Sequence, residues 1–417
     1  MTDIDADVIV VGAGIAGLRC AAALRRRGLT ARIVEAGTGP GGRIRTDVID
    51  GFRCDRGFQL LNPSYPAVKR HVDIDALDLR VAGRGVRIVD DSDTVRTVAD
   101  PTRHPTLLLE TARSAVRLGL VRPRAVAGAV RWALPAVGSV RRLGSAPDAA
   151  LADDWDRLGL RGPLRDALLA PFLSGVLADG VGATSDRYVR LVLRSFLLAT
   201  PGVPNAGMQA FPEQLARGAG VDITYSARVD RVTDDTVTPT VRTADGTVLR
   251  SRAVVVATDA PAAAALTDTE TSSMRGLSTW WFDADGADSD TFLRVSGAGG
   301  SVVNTAEMSA IAPGYAPTGK TLVQATTLLG AAGPAAESVV RAELDRLWGR
   351  STSSWRVIVR HDVSHALPAQ APGTPLRRPL RVGDRVLLAG DHRDTPSIQG
   401  ALVSGGRAAA EVARLLG

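Results

Sequence analysis

The sequence predicts an α/β chain in which one nucleotide-type sheet domain is assembled from separated stretches, with an α+β domain inserted through it. Three observations carry that reading: a strand-turn-helix-strand unit at the N-terminus, a long Arg-rich helical stretch after it, and strand character that returns late and ends on a second turn-to-helix motif. A length of 417 residues suits two domains and allows a large core.

The first unit is explicit. Asp7 to Val11 is a β-branched run, Gly12-Ala-Gly14-Ile15-Ala16-Gly17 follows, Leu18 to Arg27 has helical composition, and Thr30 to Glu35 is a second strand ending on an acid. Gly12 permits a tight turn out of the strand, Gly14 lets backbone N–H groups approach a pyrophosphate at the helix N-terminus, and Gly17 lets that helix lie close to the strand. Glu35 suits the two hydroxyls of an adenosine ribose, and its charge argues against a 2′-phosphate. NAD or FAD remains. Gly41-Gly42-Arg43, directly downstream, adds a second glycine pair and a fixed cation, which a cofactor as long as FAD would use; the plainer alternative is a surface turn.

From about residue 76 the pattern changes. Residues 103–144 read as helix, and 148–200 as short helical pieces broken by Gly and Pro. Strands are expected at 221–225, 228–232, 237–243 and 253–257, with a hairpin turn at Ala244-Asp245-Gly246-Thr247. Residues 278–329 alternate strands and turns, 335–349 read as helix, and 380–389 as a strand before LLAGDHRDTPSIQGALVSGGRAAAEV. This places the nucleotide-type domain at 1–75, 205–270 and 380–417, and the inserted domain at 76–204 and 271–379.

Composition narrows the classes. No uncharged apolar run reaches the roughly 18 residues of a spanning helix, and the start, MTDIDADVIVVGAG, carries acids where a signal peptide carries bases. The expectation is a cytoplasmic chain. Cys20 and Cys54 offer neither a disulfide framework nor a metal-ligand spacing, so no metal is expected. The net charge of +6 is almost all Arg, Lys occurring only at Lys69 and Lys320, and no nucleic-acid motif accompanies it.

With these blocks assembled, the sequence resembles the FAD-dependent amine oxidase and phytoene desaturase superfamily, which includes protoporphyrinogen oxidases. The resemblance rests on the glycine motif, Glu35, Gly41-Gly42-Arg43, Asp55-Arg-Gly57-Phe58, Gly207-Met208-Gln-Ala-Phe-Pro212, the strand at Val229, Val254 to Thr258, and Gly390-Asp391 through Ala401. It implies an amine-oxidase/glutathione-reductase-like fold: a discontinuous Rossmann-like FAD-binding domain with an inserted α+β substrate-binding domain. It also implies FAD held by Gly12, Gly14, Ile15, Ala16, Gly17, Glu35, Ala36, Gly42, Arg43, Gly57, Phe58, Val229, Ala257, Asp391, Ser397, Ile398, Gln399 and Ala401. No Cys matches the covalent linkage of some relatives, so FAD is expected to be non-covalent. The start of the last helix should face the flavin carbonyl, where a helix N-terminus stabilises the charge of the reduced ring.

The reaction implied is hydride removal from carbon, with O2 or a quinone-like molecule as electron acceptor. The amine oxidases of this group place a Lys near the flavin and pair aromatic residues over it; neither Lys69 nor Lys320 matches, and the segment before the last motif, His361 to Pro368, holds no Tyr or Trp. The form GDxxxxPSIQGAxxSG is closer to the desaturases. A small apolar substrate, isoprenoid or lipid-like, is therefore expected. The alternatives are an amine oxidase that lacks the Lys and a non-catalytic binding protein on the same fold. His365 and His392 are the acid-base candidates, Trp280 and Trp281 the candidate pocket wall, with strand packing as the blander account of the two indoles. Leu107 to Arg142 mixes apolar stripes with Arg113, Arg117, Arg122, Arg124, Arg131, Arg141 and Arg142, compatible with contact with the inner face of an anionic membrane.

Overall fold

The computed structural model describes residues 4–284 and 289–417. The strand Ala6–Val11 lies at the centre of a sheet, parallel to Ala31–Val34 on one side and to the long strand Val248–Val256 on the other. Asp222–Thr224 extends the sheet beyond Ala31–Val34. Val248–Val256 is shared: its first residues pair with the hairpin strand Thr240–Thr243, and Val254 to Val256 pair in parallel with Val386–Leu388. Ala6–Val11, the end of Val248–Val256 and Val386–Leu388 are parallel strands buried on both faces and read as apolar runs, which is why their positions are visible in the sequence.

The second sheet is mostly antiparallel, in the order Arg356–Pro368, Met274–Asp283, Leu322–Leu329, Val302–Glu307, Leu293–Ser296, Gly85–Val89, Val95–Ala99. Its last two strands were not expected. They are short, each carries an Arg, and the acidic turn Asp90-Asp91-Ser92-Asp93 separates them, so the apolar period is weak there. The Arg-rich region forms the helices Leu108–Arg117, Pro123–Val137 and Val140–Ser145. A second departure is Leu164–Leu169, a π-helical turn leading into the helix Ala170–Leu177.

The helix Ile15–Arg25 and the closing helix Ile398–Leu416 pack side by side on the parallel sheet, and small residues set their separation. A Cβ on Gly405 would come within 2.2 Å of the Ala16 carbonyl oxygen, and one on Gly17 within 2.0 Å of the Gly12 carbonyl oxygen. Both positions abut backbone, so nothing can yield cheaply. Gly405→Ala is expected to cost about 1–3 kcal/mol by overpacking. Thermal melts check this; a variant as stable as the parent would show that the helices can move apart.

Candidate cofactor crevice

The residues of the glycine motif, the acid at the end of the second strand and the closing motif converge at the carboxyl ends of the parallel strands. Gly12 N–H donates to the Val34 carbonyl at 2.8 Å, and Ala257 N–H to the Val11 carbonyl at 2.8 Å. Gly12 has φ +105°, a conformation that disfavours side chains, and a Cβ there would meet the Ala257 carbonyl oxygen at 3.0 Å. Gly14 is different. A Cβ there would find no protein atom within 4 Å, so protein packing does not account for its missing side chain. Open space at the N-terminus of a helix, beside a backbone without a side chain, fits a phosphate-bearing group.

Glu35 is held by that same loop: Oε2 accepts from Ala13 N–H at 2.6 Å and Oε1 from Gly37 N–H at 2.7 Å. Each oxygen keeps a lone pair for a hydroxyl donor. Ala36 follows at the surface, and Val229 begins a hairpin strand anchored one turn earlier, where Ala227 N–H donates to the Glu35 carbonyl at 2.9 Å. Gly41 N–H donates to the Ala13 carbonyl at 2.9 Å, which lays the second glycine pair along the first, with Gly42 against Gly14.

Arg43 joins the near motif to the far one. Its Nη2 lies 2.6 Å from Oδ1 of the buried Asp391, and Nη1 donates to the Ala366 carbonyl at 2.8 Å. Asp391 opens a short turn, after which Ser397 caps the closing helix by accepting from Gly400 N–H at 3.1 Å. Gln399, in the first turn of that helix with Ile398 and Ala401, accepts from Ala67 N–H at 2.9 Å. Gly57 and Phe58 lie opposite, on the loop after the hairpin Thr46–Ile49/Phe52–Asp55, where Leu277 of the second sheet comes within 3.7 Å of a Cβ built on Gly57. Gln59, which the sequence reading passed over, donates through Nε2 to the Arg43 carbonyl at 3.0 Å, while its Oε1 is buried without a partner. An orphaned acceptor beside Arg43 fits a ligand that brings an N–H there.

The other candidates fall elsewhere. Trp280 and Trp281 point to opposite faces of one strand and are 2% and 0% exposed, so neither indole lines a cavity. Trp280 packs with Phe282 beneath the helix Glu337–Trp348, whereas Trp281 stacks on Tyr315 and donates through Nε1 to the Asp55 carbonyl at 3.1 Å. Strand packing accounts for both. His365 is half exposed, 3.6 Å from the Asp259 carboxylate at the surface. His392 is buried with both ring nitrogens unpartnered, and burial pushes it down to about 4. Its imidazole is neutral at physiological pH and a weak base. Among the described residues no three His, Cys, Asp or Glu side chains group as metal ligands, and no helix is long and apolar enough to cross a membrane.

Asp55 is the other hub. Its carboxylate accepts from the Thr46 and Tyr315 hydroxyls and from Met208 N–H at 3.1 Å, and its carbonyl also receives His361 Nδ1 at 3.2 Å. These partners come from the hairpin, the turn before the helix Ala210–Ala219, the short turn Pro313–Tyr315 and the second sheet, so one buried residue ties the hairpin to each of them. Burial outweighs the three donors and pushes the Asp55 carboxyl up from 3.8 to about 6. The folded chain thus holds a proton that the unfolded chain releases between pH 4 and 6, and stability falls as pH rises through that window. Asp55→Asn is expected to remove that slope in denaturant titrations at pH 4–7, at a cost below about 2 kcal/mol at pH 4, because hydroxyl donors can reorient. An unchanged slope would mean that Asp55 is ionised throughout.

Comparison with known proteins agrees with this geometry. The sequence profile described as flavin containing amine oxidoreductase matches residues 15–413. The chain belongs to that family of oxidoreductases, and its cofactor is FAD. It is 34% identical over 103 residues to a putrescine oxidase of Kocuria rosea, covering 25% of this chain and 20% of that protein. It is 28% identical over 293 residues to a zeta-carotene-forming phytoene desaturase of Myxococcus xanthus, covering 61% of this chain and 53% of that protein. The matched segments therefore span at most about half of these relatives. An oxidoreductase from Methanosarcina mazei shares the fold, with a TM-score of 0.71 at 14% identity over 97% of this chain and 99% of that one.

Proposed function

We propose that the chain is an FAD-dependent dehydrogenase or desaturase acting at carbon on a small apolar substrate. FAD is then held at the loop Gly12 to Gly17, at Glu35 and at Asp391, with the closing-helix N-terminus toward the ring. When bound, FAD accepts hydride from carbon, so the protein needs mainly to orient the substrate and exclude water. The observation that carries the reading is that, among the described residues, the lysines and the carboxylates near the Gly57 loop are placed or paired so that none is left to meet an amine. Lys69 is exposed on the short helix Pro66–His71, and Lys320 pairs with Asp283 at the sheet's outer edge, 3.4 Å away. Near the Gly57 loop, Asp55 is committed to its three donors and Asp179 to Arg275 at 3.1 Å, which leaves neither carboxylate for a substrate ammonium. Beside Gln59, whose Nε2 is taken by the Arg43 carbonyl, the half-buried groups there are apolar: Phe58 and Leu277, with Leu328 on the strand beside Leu277. The longer match to the phytoene desaturase points the same way.

The expected result of anaerobic mixing is bleaching of the flavin absorption by a polyene or other alkene and none by primary amines. Bleaching by putrescine or cyclohexylamine alone would establish the amine-oxidase alternative instead.

The same reading includes peripheral contact with an anionic membrane, from which an apolar substrate could enter. On the helix Pro123–Val137 one face is buried through Ala125, Gly128, Trp132 and Ala136, while Val126, Val130, Leu134 and Val137 form a second apolar stripe that is exposed. Arg113, Arg117, Arg122, Arg124, Arg131, Arg141 and Arg142 are all exposed around it, and Glu110 is the sole acid from 107 to 142. Val130→Asp with Leu134→Asp is expected to abolish co-flotation with anionic vesicles and leave the melting temperature unchanged, since both side chains are more than half exposed. Parental chain that stays off anionic vesicles at low salt would remove this contact.

A further inference from the structure

A second cavity, of about 470 Å³, lies between the helices Ile15–Arg25, Pro66–His71 and Ala210–Ala219. None of its lining residues belongs to the crevice described above. Arg19, Arg26, Lys69, Arg70 and His71 line it, and Asp73 is its one carboxylate. Asp73 is occupied locally, its Oδ1 accepting from Ala76 N–H at 3.0 Å. Among the described residues none of the arginines or Lys69 has an ion-pair partner within 4 Å.

Arg19 is the telling group. It projects from the middle of the first helix, its Nε and Nη1 are buried without a partner, and burial together with Arg26 and Arg27 pulls it down to about 10. An uncompensated guanidinium crowded by other cations is costly. It persists most readily where a ligand supplies the missing charge, and forked arginine donors match phosphate oxygens.

We propose that this cavity binds a small multivalent phosphate-type anion, with Arg19 at its floor and Lys69 and Arg70 at its rim. The shared chemistry is a phosphate or diphosphate group, whether on a free metabolite or on a lipid headgroup.

The test uses the flavin-loaded full chain and pyrophosphate as probe. Calorimetry at low salt should give one pyrophosphate per chain, and Arg19→Met should weaken binding by at least about tenfold. Without pyrophosphate, Arg19→Met should melt at the same or a higher temperature than the parent, because it removes a half-buried charge whose Nε and Nη1 have no partner. Lys69→Gln, a surface change, should also weaken binding, whereas Arg141→Gln, equal in charge and remote on the helical surface, should not. The proposal is overturned if the parent does not bind, if Arg141→Gln weakens binding as much as Arg19→Met, or if Arg19→Met lowers the melting temperature in the absence of anion. The source of the phosphate is read in the Val130→Asp/Leu134→Asp background. Chain bound to phosphatidylglycerol vesicles and released by pyrophosphate assigns the site to a headgroup; chain that binds pyrophosphate but no vesicles assigns it to a free anion.

Discussion

The contact on which the rest of the structure depends joins residue 43 to residue 391. Asp391 is 4% exposed, and a carboxylate that deep requires a partner; Arg43 supplies it at 2.6 Å. That single pair forces the ends of the sequence into one crevice. For it to form, Val386–Leu388 must lie beside Val248–Val256, that strand beside Ala6–Val11, and the closing helix must settle on the first helix. The close approach is available because Gly17 and Gly405 present no side chain to the backbone they meet. The ion pair, the strand order and the small-residue stripe are therefore one constraint seen at three scales.

Asp55 extends that constraint to the second sheet. Its carboxylate and carbonyl gather Thr46, Met208, Trp281, Tyr315 and His361, residues far apart in sequence, around the base of the hairpin that carries Gly57 and Phe58. The loop facing the crevice is thus held by a buried polar network.

What could be read from the sequence follows from how local each signal is. The parallel strands, the glycine turns and the start of the closing helix are set by residues within a few positions of one another, and they were legible. Gly85–Val89 and Val95–Ala99 were not, because their burial comes from Leu293–Ser296 and the sheet beyond, two hundred residues away. The motifs that converge on the crevice were legible, but the pairing of Arg43 with Asp391 was not; alone the guanidinium suits a phosphate and the carboxylate a hydroxyl, and only the fold shows that they neutralise each other. Trp280 and Trp281 illustrate the reverse error. An aromatic cluster in a chain with 4% aromatics invites a pocket, yet alternation along a strand sends the two rings into two different cores.

The substrate left a fainter trace than the cofactor for a chemical reason. A flavin carries its own reactivity, so a carbon oxidation asks the protein for a shaped apolar wall, and a wall is built from single residues on separate elements with no spacing to mark it. The clearer trace lies on the helix Pro123–Val137, where the buried stripe through Trp132 already satisfies what a soluble helix needs. The second stripe, Val126 to Val137, leaves apolar side chains in water and gains nothing for the fold. Ringed by arginines and almost free of acids, it has the two chemical characters that complement an anionic membrane surface, an apolar stripe and a cationic rim. A carbon oxidase whose substrate dissolves in lipid has a use for both.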